Sequence, residues 1–336
     1  MLQNPLNKDS FYSFNVPSSE RLIVLNQDML ALSFAFLNGT ALGDAIGLQT
    51  EPLTDDLIAE LWGTEGVTAP NEKGMISDDS QFAMMIARAI SKDPNASPQS
   101  MADEFALELI KWINEPSKIV SPGKSCLLAA VALKEGAHWS TTGSPDADGC
   151  GAAMRSAAIG YLFSDSLEHT IAVAETLSAV THKGQIGKDS GVAVAMLAYY
   201  ISNAFSPLEA TLSTARHFKE SSPVLSNALF QAVELSSEPD KKAAQQKFLP
   251  GWRAEEVVAV AMLSILQNEN DWRGSVLSAS NFGGDSDSTA ALAGGLHALH
   301  LAGSGIPQGW PEMLNCQEEI KLTAESLAAA KAARRA

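Results

Sequence analysis

From Asn26 onward, apolar residues recur at the helical rather than the strand period. The segment DMLALSFAFLNGTALGDAIG (28–47) is apolar nearly all round, the pattern of a buried helix. A turn-rich stretch follows over 48–77, and residues 78–90 then return to helical spacing. Pro94 and Pro98 interrupt the chain before an amphipathic helix, MADEFALELIKWI (101–113). Helices are expected at 126–139 and 152–163, on either side of the Gly- and Asp-rich loop SPDADGCG (144–151). Further helices are expected at 167–180, 189–203, 207–218, 253–267, 271–280, 287–302 and 316–334. No segment alternates strictly and no hairpin dipeptide joins β-branched runs. The pattern predicts an all-α fold: one compact multi-helix globule over residues 26–336, with no linker and no repeat of fixed period.

Residues 1–25 differ. They are polar, contain Pro5 and Pro17, and carry Phe11, Tyr12 and Phe14. They read as an N-terminal arm whose aromatic residues pack either on the body or on a partner. No apolar run is expected to reach the length of a membrane span, and no basic segment precedes an apolar one at the start of the chain.

Composition sharpens this reading. With 24 Gly and 7% aromatic residues, helices should approach closely through small side chains. A net charge of −16 repels phosphate backbones, which argues against nucleic acid as a partner and favours cations. The cysteines Cys126, Cys150 and Cys316 are odd in number and include no CxxC, which suits a reducing, cytoplasmic compartment.

Five segments carry candidate chemistry. Ser77-Asp78-Asp79-Ser80 stands where a long loop becomes a helix. Ser caps helices and acidic residues stabilise a first turn, but adjacent carboxylates repel unless a cation lies between them. Gly283-Gly284-Asp285-Ser286-Asp287-Ser288 opens a second apolar helix, and its glycines permit a close backbone approach. Together the two segments offer four carboxylates and several hydroxyls, hard oxygen donors suited to Mg²⁺, Mn²⁺ or Ca²⁺. The third segment runs from Asp146 to Arg155. It reads either as a turn feeding a helix, with Arg155 paired to a carboxylate, or as a loop whose backbone N–H groups face a phosphate. The fourth is Thr181-His182-Lys183, in which His182 is a packed residue or a ligand. The fifth is Gly39–Gly47, where Asp44 needs a partner if buried; Glu51 follows in the loop.

Other chemistries lack their residues. An EF-hand starting at Asp285 would need Gly at Ala290 and Glu at Leu296. There is no HExxH, no P-loop, no dinucleotide fingerprint and no G-x-S-x-G.

In this order, GTALGDAIG, ISDDS, GCGAAMRSAAIG, THKGQIG and GGDSDSTAALAGG resemble the ADP-ribosylglycohydrolase family over roughly residues 30–305, with wording closest to its ADP-ribosylarginine hydrolase branch. The resemblance implies an all-α fold with two Mg²⁺ ions (or Mn²⁺) in a central cleft. Their ligands would be Ser77, Asp78, Asp79, Asp285, Asp287 and Ser288. The implied reaction cleaves ADP-ribose from a modified protein side chain, arginine in that branch, reversing a transferase. Asp78, Asp79 or Glu51 would relay the proton to the leaving group. Gly149, Cys150, Gly151, Met154 and His182 would line the nucleotide cleft. Ser80 stands where relatives often carry Thr, and Cys150 where many carry Asn. Asp146 and Asp148 would attract a cationic substrate. A second reading is an immunity or binding protein that sequesters an ADP-ribosylating toxin through the arm.

Overall fold

In the computed structural model, which describes residues 29–335, two helices meet backbone to backbone. They are α1 (Met29–Gly47) and, much later in the chain, α15 (Ser286–His300). Gly39, Gly43 and Gly47 are spaced four apart, which places them on one helix face. They lie against Gly294, Ala290 and Ser286. A Cβ on Gly43 would stand 2.0 Å from the Ala290 carbonyl oxygen, and one on Gly47 2.3 Å from that of Ser286. Because this face carries no side chains, the two helices run antiparallel in direct backbone contact. The end of α1 and the start of α15 therefore share one end of the molecule.

The remaining helices wrap this pair. They are α2 (Asp55–Trp62), α3 (Asp78–Lys92), α4 (Pro98–Ile113), α5 (Lys124–Lys134), α6 (Trp139–Thr142), α7 (Ala157–Leu162) and α8 (Leu167–Ala179). Next come α9 (Gln185–Ser202), α10 (Pro207–His217), α11 (Pro223–Leu235), α12 (Lys241–Gln245), α13 (Ala254–Leu266) and α14 (Trp272–Ser280). After α15 follow α16 (Trp310–Met313) and α17 (Gln317–Arg335). Among the described residues there is no strand, only the isolated bridges Ser144–His182 and Gly149–Arg253. The architecture is all-α, as the periodicity predicts. One large core runs through α1, α3, α4, α7, α8, α9, α14, α15 and α17, and a smaller one around Phe248 and Phe282 joins α11 to α13.

Several boundaries differ from the sequence reading. The helix expected over 126–139 stops at Lys134, because Gly136 turns the chain at φ 95°. The helix expected over 152–163 begins only at Ala157. The Arg155 guanidinium donates to the Gly151 carbonyl and the Ser156 hydroxyl to that of Ala152, so a helical ladder does not start there. Five helices, α2, α6, α11, α12 and α16, were not expected. By length and composition α1 also qualifies as a membrane span, contrary to the sequence reading; here 67% of its apolar stretch is buried inside the protein. The arm at 1–25 lies outside the described residues.

Candidate metal centre

Asp44 shows how the site is built. It is fully buried near the end of α1 and accepts hydrogen bonds from the Ser77 N–H (2.9 and 3.0 Å), the Ser80 N–H (3.1 Å) and the Ser80 hydroxyl (2.5 Å). A carboxylate from one helix thus satisfies the open donors in the first turn of another. The sequence left the partner of Asp44 open; the structure supplies it. Burial, the largest cause, outweighs these bonds and pushes the Asp44 carboxyl up to about 6.

Ser77 caps α3. Its hydroxyl accepts from the Asp79 N–H (3.1 Å) and donates to Asp79 Oδ2 (2.9 Å). Asp79 Oδ1 accepts from the Ser288 hydroxyl at 2.6 Å, so Asp79 ties the start of α3 to the start of α15. Asp78 donates its N–H to the Val120 carbonyl (3.1 Å), and its Oδ2 accepts from the Gly123 N–H (3.3 Å).

At α15, Gly283 (φ 91°) and Gly284 (φ 64°) occupy left-handed conformations natural only to glycine. A Cβ on Gly284 would lie 2.4 Å from the Pro250 carbonyl oxygen. This close approach lets the Asp285 N–H reach the Gly251 carbonyl at 3.0 Å. The Cys150 thiol donates to Asp285 Oδ2 at 2.7 Å and lies 3.2 Å from the Ser288 hydroxyl. The Ser288 N–H donates to Asp287 Oδ1 at 3.0 Å.

These segments bring carboxylates together twice. One oxygen each from Asp44, Asp79 and Asp287 lie within 4.8 Å of one another, and so do one each from Glu51, Asp285 and Asp287. Glu51 is half-buried and the other four are buried. Among the described residues, no Lys or Arg forms an ion pair with any of them or with Asp78. Two like charges at that distance repel by roughly 3 kcal/mol at an effective dielectric of about 20. The two helix N-termini offset roughly 1 kcal/mol of this per charge. Desolvation first, and then the neighbouring carboxylates, hold Asp79 and Asp287 well above the usual carboxylate range; burial raises Asp78 and Asp285 as well. The donor set is all hard oxygen with hydroxyls interleaved, and it could hold a divalent cation.

The third and fourth segments adjoin this cluster. Gly149 bridges to Arg253, and Gly151 packs so closely that a Cβ there would lie 2.7 Å from the His182 ring. Met154 and His182 are buried behind the loop. His182 Nδ1 is 2.7 Å from the Thr181 hydroxyl, and burial, then the Arg155 charge, lower the ring to about 3. His182 is therefore neutral. Among the described residues Arg155 has no carboxylate partner, contrary to the simpler sequence reading. It is buried, donates to the Thr181 hydroxyl (2.8 Å) and the Leu177 carbonyl (3.2 Å), and stacks over Phe105. Asp146 is exposed and Asp148 half-buried on the same loop. One contributor went unread in the sequence: the segment Val120–Gly123, which touches Asp78 through two backbone groups. Its only signal was the turn pair Pro122-Gly123.

Residues 28–336 match the sequence profile of the ADP-ribosylglycohydrolase family. The chain belongs to this family. It is 30% identical over 295 residues to an uncharacterized protein of Archaeoglobus fulgidus, covering 86% of this chain and 93% of that one. It is 24% identical over 297 residues to the ADP-ribosylarginine hydrolase Tri1 of Serratia proteamaculans (87% and 77% covered). It is also 24% identical over 301 residues to the ADP-ribosyl-[dinitrogen reductase] glycohydrolase of Rhodospirillum rubrum (86% and 91%). A solved structure titled as an ADP-ribosylglycohydrolase-related protein complex shares the fold, with a TM-score of 0.64 at 21% identity, covering 90% of this chain and 99% of that one. In this member of the family the acidic cluster lies at the junction of α1, α3 and α15.

Proposed function

We propose that this ADP-ribosylglycohydrolase removes ADP-ribose from arginine side chains of modified proteins, using Mg²⁺ at the acidic cluster. The observation that carries the metal is the buried group of carboxylates with no basic partner. The names of two relatives, both acting on ADP-ribosyl bonds, support the reaction class. Ser77, Asp78, Asp79, Asp285, Asp287 and Ser288 are the proposed ligands of two ions; Mn²⁺ has the same donor preference. When bound, the cations supply positive charge that orients a ribose diol and lowers the pKa of a water.

The chain's own residues do the rest. The carboxylates favour the oxocarbenium character that builds on the ribose as the glycosidic bond breaks. Arginine leaves as a guanidine, so a proton must be held at the departing nitrogen. Glu51 suits that role because it is the half-buried member of the cluster; both Asp79 oxygens already accept hydrogen bonds. The Gly149–Gly151 backbone meets the nucleotide, with Met154 and His182 shaping it from behind. A neutral His182 offers a hydrogen-bonding ring without a charge. Asp146 and Asp148 draw in the cationic substrate. We propose a reducing, cytoplasmic setting, with which the free Cys126, Cys150 and Cys316 agree.

The linkage is tested by offering two substrates, one protein ADP-ribosylated on arginine and one on serine, with Mg²⁺ present. Release of ADP-ribose from the arginine conjugate at least about tenfold faster supports the proposal, that ratio being about 1.4 kcal/mol of discrimination. Equal or faster release from the serine conjugate would replace arginine as the substrate.

A further inference from the structure

Glu51 stands apart in how it is held. Its backbone is fixed, because its N–H donates to the Gly47 carbonyl at 3.1 Å and the preceding Thr50 hydroxyl lies 2.9 Å from that of Ser286. Its carboxylate, however, lies beside Asp285 and Asp287 on the open side of the cluster. Like charges there push it outward, and water offers it an alternative. What opposes this is the Ser121 hydroxyl, which donates to Glu51 Oε2 at 2.7 Å.

Ser121 is itself unusual. Its φ of 49° is left-handed, a conformation that serine seldom adopts and that persists where surrounding contacts enforce it. Those contacts are on the same short segment. The Val120 carbonyl accepts from the Asp78 N–H, the Gly123 N–H donates to Asp78 Oδ2, and the Lys118 carbonyl accepts from the Gln81 side chain at 2.7 Å. Residues 118–123 are thus seated on the start of α3, and from that seat Ser121 reaches across to Glu51 in the loop after α1.

The geometry points to Ser121 as a positioning residue that holds the Glu51 carboxylate over the cluster, a role resting on the hydrolase reading above. The strap transmits the position of Asp78 on α3 to Glu51, so the two carboxylates keep one spacing. The Ser121–Glu51 bond is open to solvent.

The test uses the full chain as wild type, Ser121→Ala, Ser121→Gly, Glu51→Ala and the double variant Ser121→Ala/Glu51→Ala. Turnover on an arginine-ADP-ribosylated protein and Mn²⁺ affinity by EPR are both measured. Ser121→Gly is the conformational control, because glycine accepts the left-handed backbone but lacks the hydroxyl. Loss of one charge-assisted bond predicts that both Ser121 variants lose kcat about tenfold with KM changed less than about twofold, and bind Mn²⁺ more weakly. In the Glu51→Ala background, Ser121→Ala should cost less than about twofold, because the partner is already gone. Wild-type behaviour of Ser121→Gly, or losses that multiply in the double variant, overturns the positioning role while leaving the hydrolase reading intact. A wild type that neither binds Mn²⁺ nor releases ADP-ribose overturns both.

Discussion

Asp44, Asp78, Asp79, Asp285 and Asp287 are all acids whose burial raises them above the ordinary carboxylate range, Asp44 to about 6. In the metal-free protein the folded state therefore holds protons that the unfolded chain releases near its ordinary value of 3.8. Stability falls with rising pH wherever the native state binds more protons. The cluster should thus cost metal-free protein stability as pH climbs from about 4 through about 6, and go on costing it until the more strongly raised acids ionise. Added Mg²⁺ should reverse that loss, since it binds the ionised form. Thermal unfolding from pH 4 to 8, with EDTA and with Mg²⁺, checks this; a midpoint unmoved by Mg²⁺ at pH 8 would contradict it. At this scale the sequence was informative about residue types. The two Asp-rich segments could be named because adjacent carboxylates exceed what a helix cap needs and repel without a cation between them; Glu51 was named only as the acid in the loop after Gly39–Gly47 and from the family resemblance. The Asp44 partners and Ser121 could not, because each depends on a contact between segments distant in the chain, which no spacing encodes.

At the scale of elements, α1 and α15 set the site. Their glycine face fixes the separation of the helix ends that carry Asp44, Asp285 and Asp287. Gly43→Ala would place a Cβ 2.0 Å from the Ala290 carbonyl oxygen, with backbone on both sides and no flexible side chain to yield. Overpacking of that kind should cost about 3 kcal/mol, read as a lowered unfolding midpoint, together with weakened Mg²⁺ binding. Gly149→Ala has open space and ordinary backbone angles, and should fold with wild-type stability. The reverse order of the two variants would refute the packing argument. The long helices were legible because their buried faces repeat at the helical period. Helix α2 was not: of its eight residues only Ile58 is buried, so the rest of its pattern is solvent-facing and carries no signal. Helix α11 does present Leu225, Ala228, Leu229 and Ala232 to the core, a readable stripe that the flanking serine- and proline-rich residues obscured. The short start of α7 reflects tertiary contacts of Arg155, which override the local preference of an alanine-rich segment for helix.

For the whole molecule, the net charge of −16 and the acidic cluster act in one direction. A field of that sign favours cations, and the cluster offers oxygen donors with no basic side chain paired to them among the described residues. The five segments that carry the family resemblance lie far apart in sequence, yet four converge around the ends of α1, α3 and α15, and the fifth, with His182, packs behind the Gly149–Gly151 loop. Their order was legible; their convergence required the antiparallel helix pair. The central claim is that this convergence is a Mg²⁺ site that drives hydrolysis. The most direct measurement is release of ADP-ribose from an arginine-ADP-ribosylated protein by wild type and Asp287→Ala, each with Mg²⁺ and with EDTA. Release by wild type with Mg²⁺ alone, reduced at least about a hundredfold by EDTA or by the substitution, is the predicted result, a loss of about 2.7 kcal/mol in transition-state stabilisation. Undiminished release in EDTA, or by folded Asp287→Ala, would contradict it.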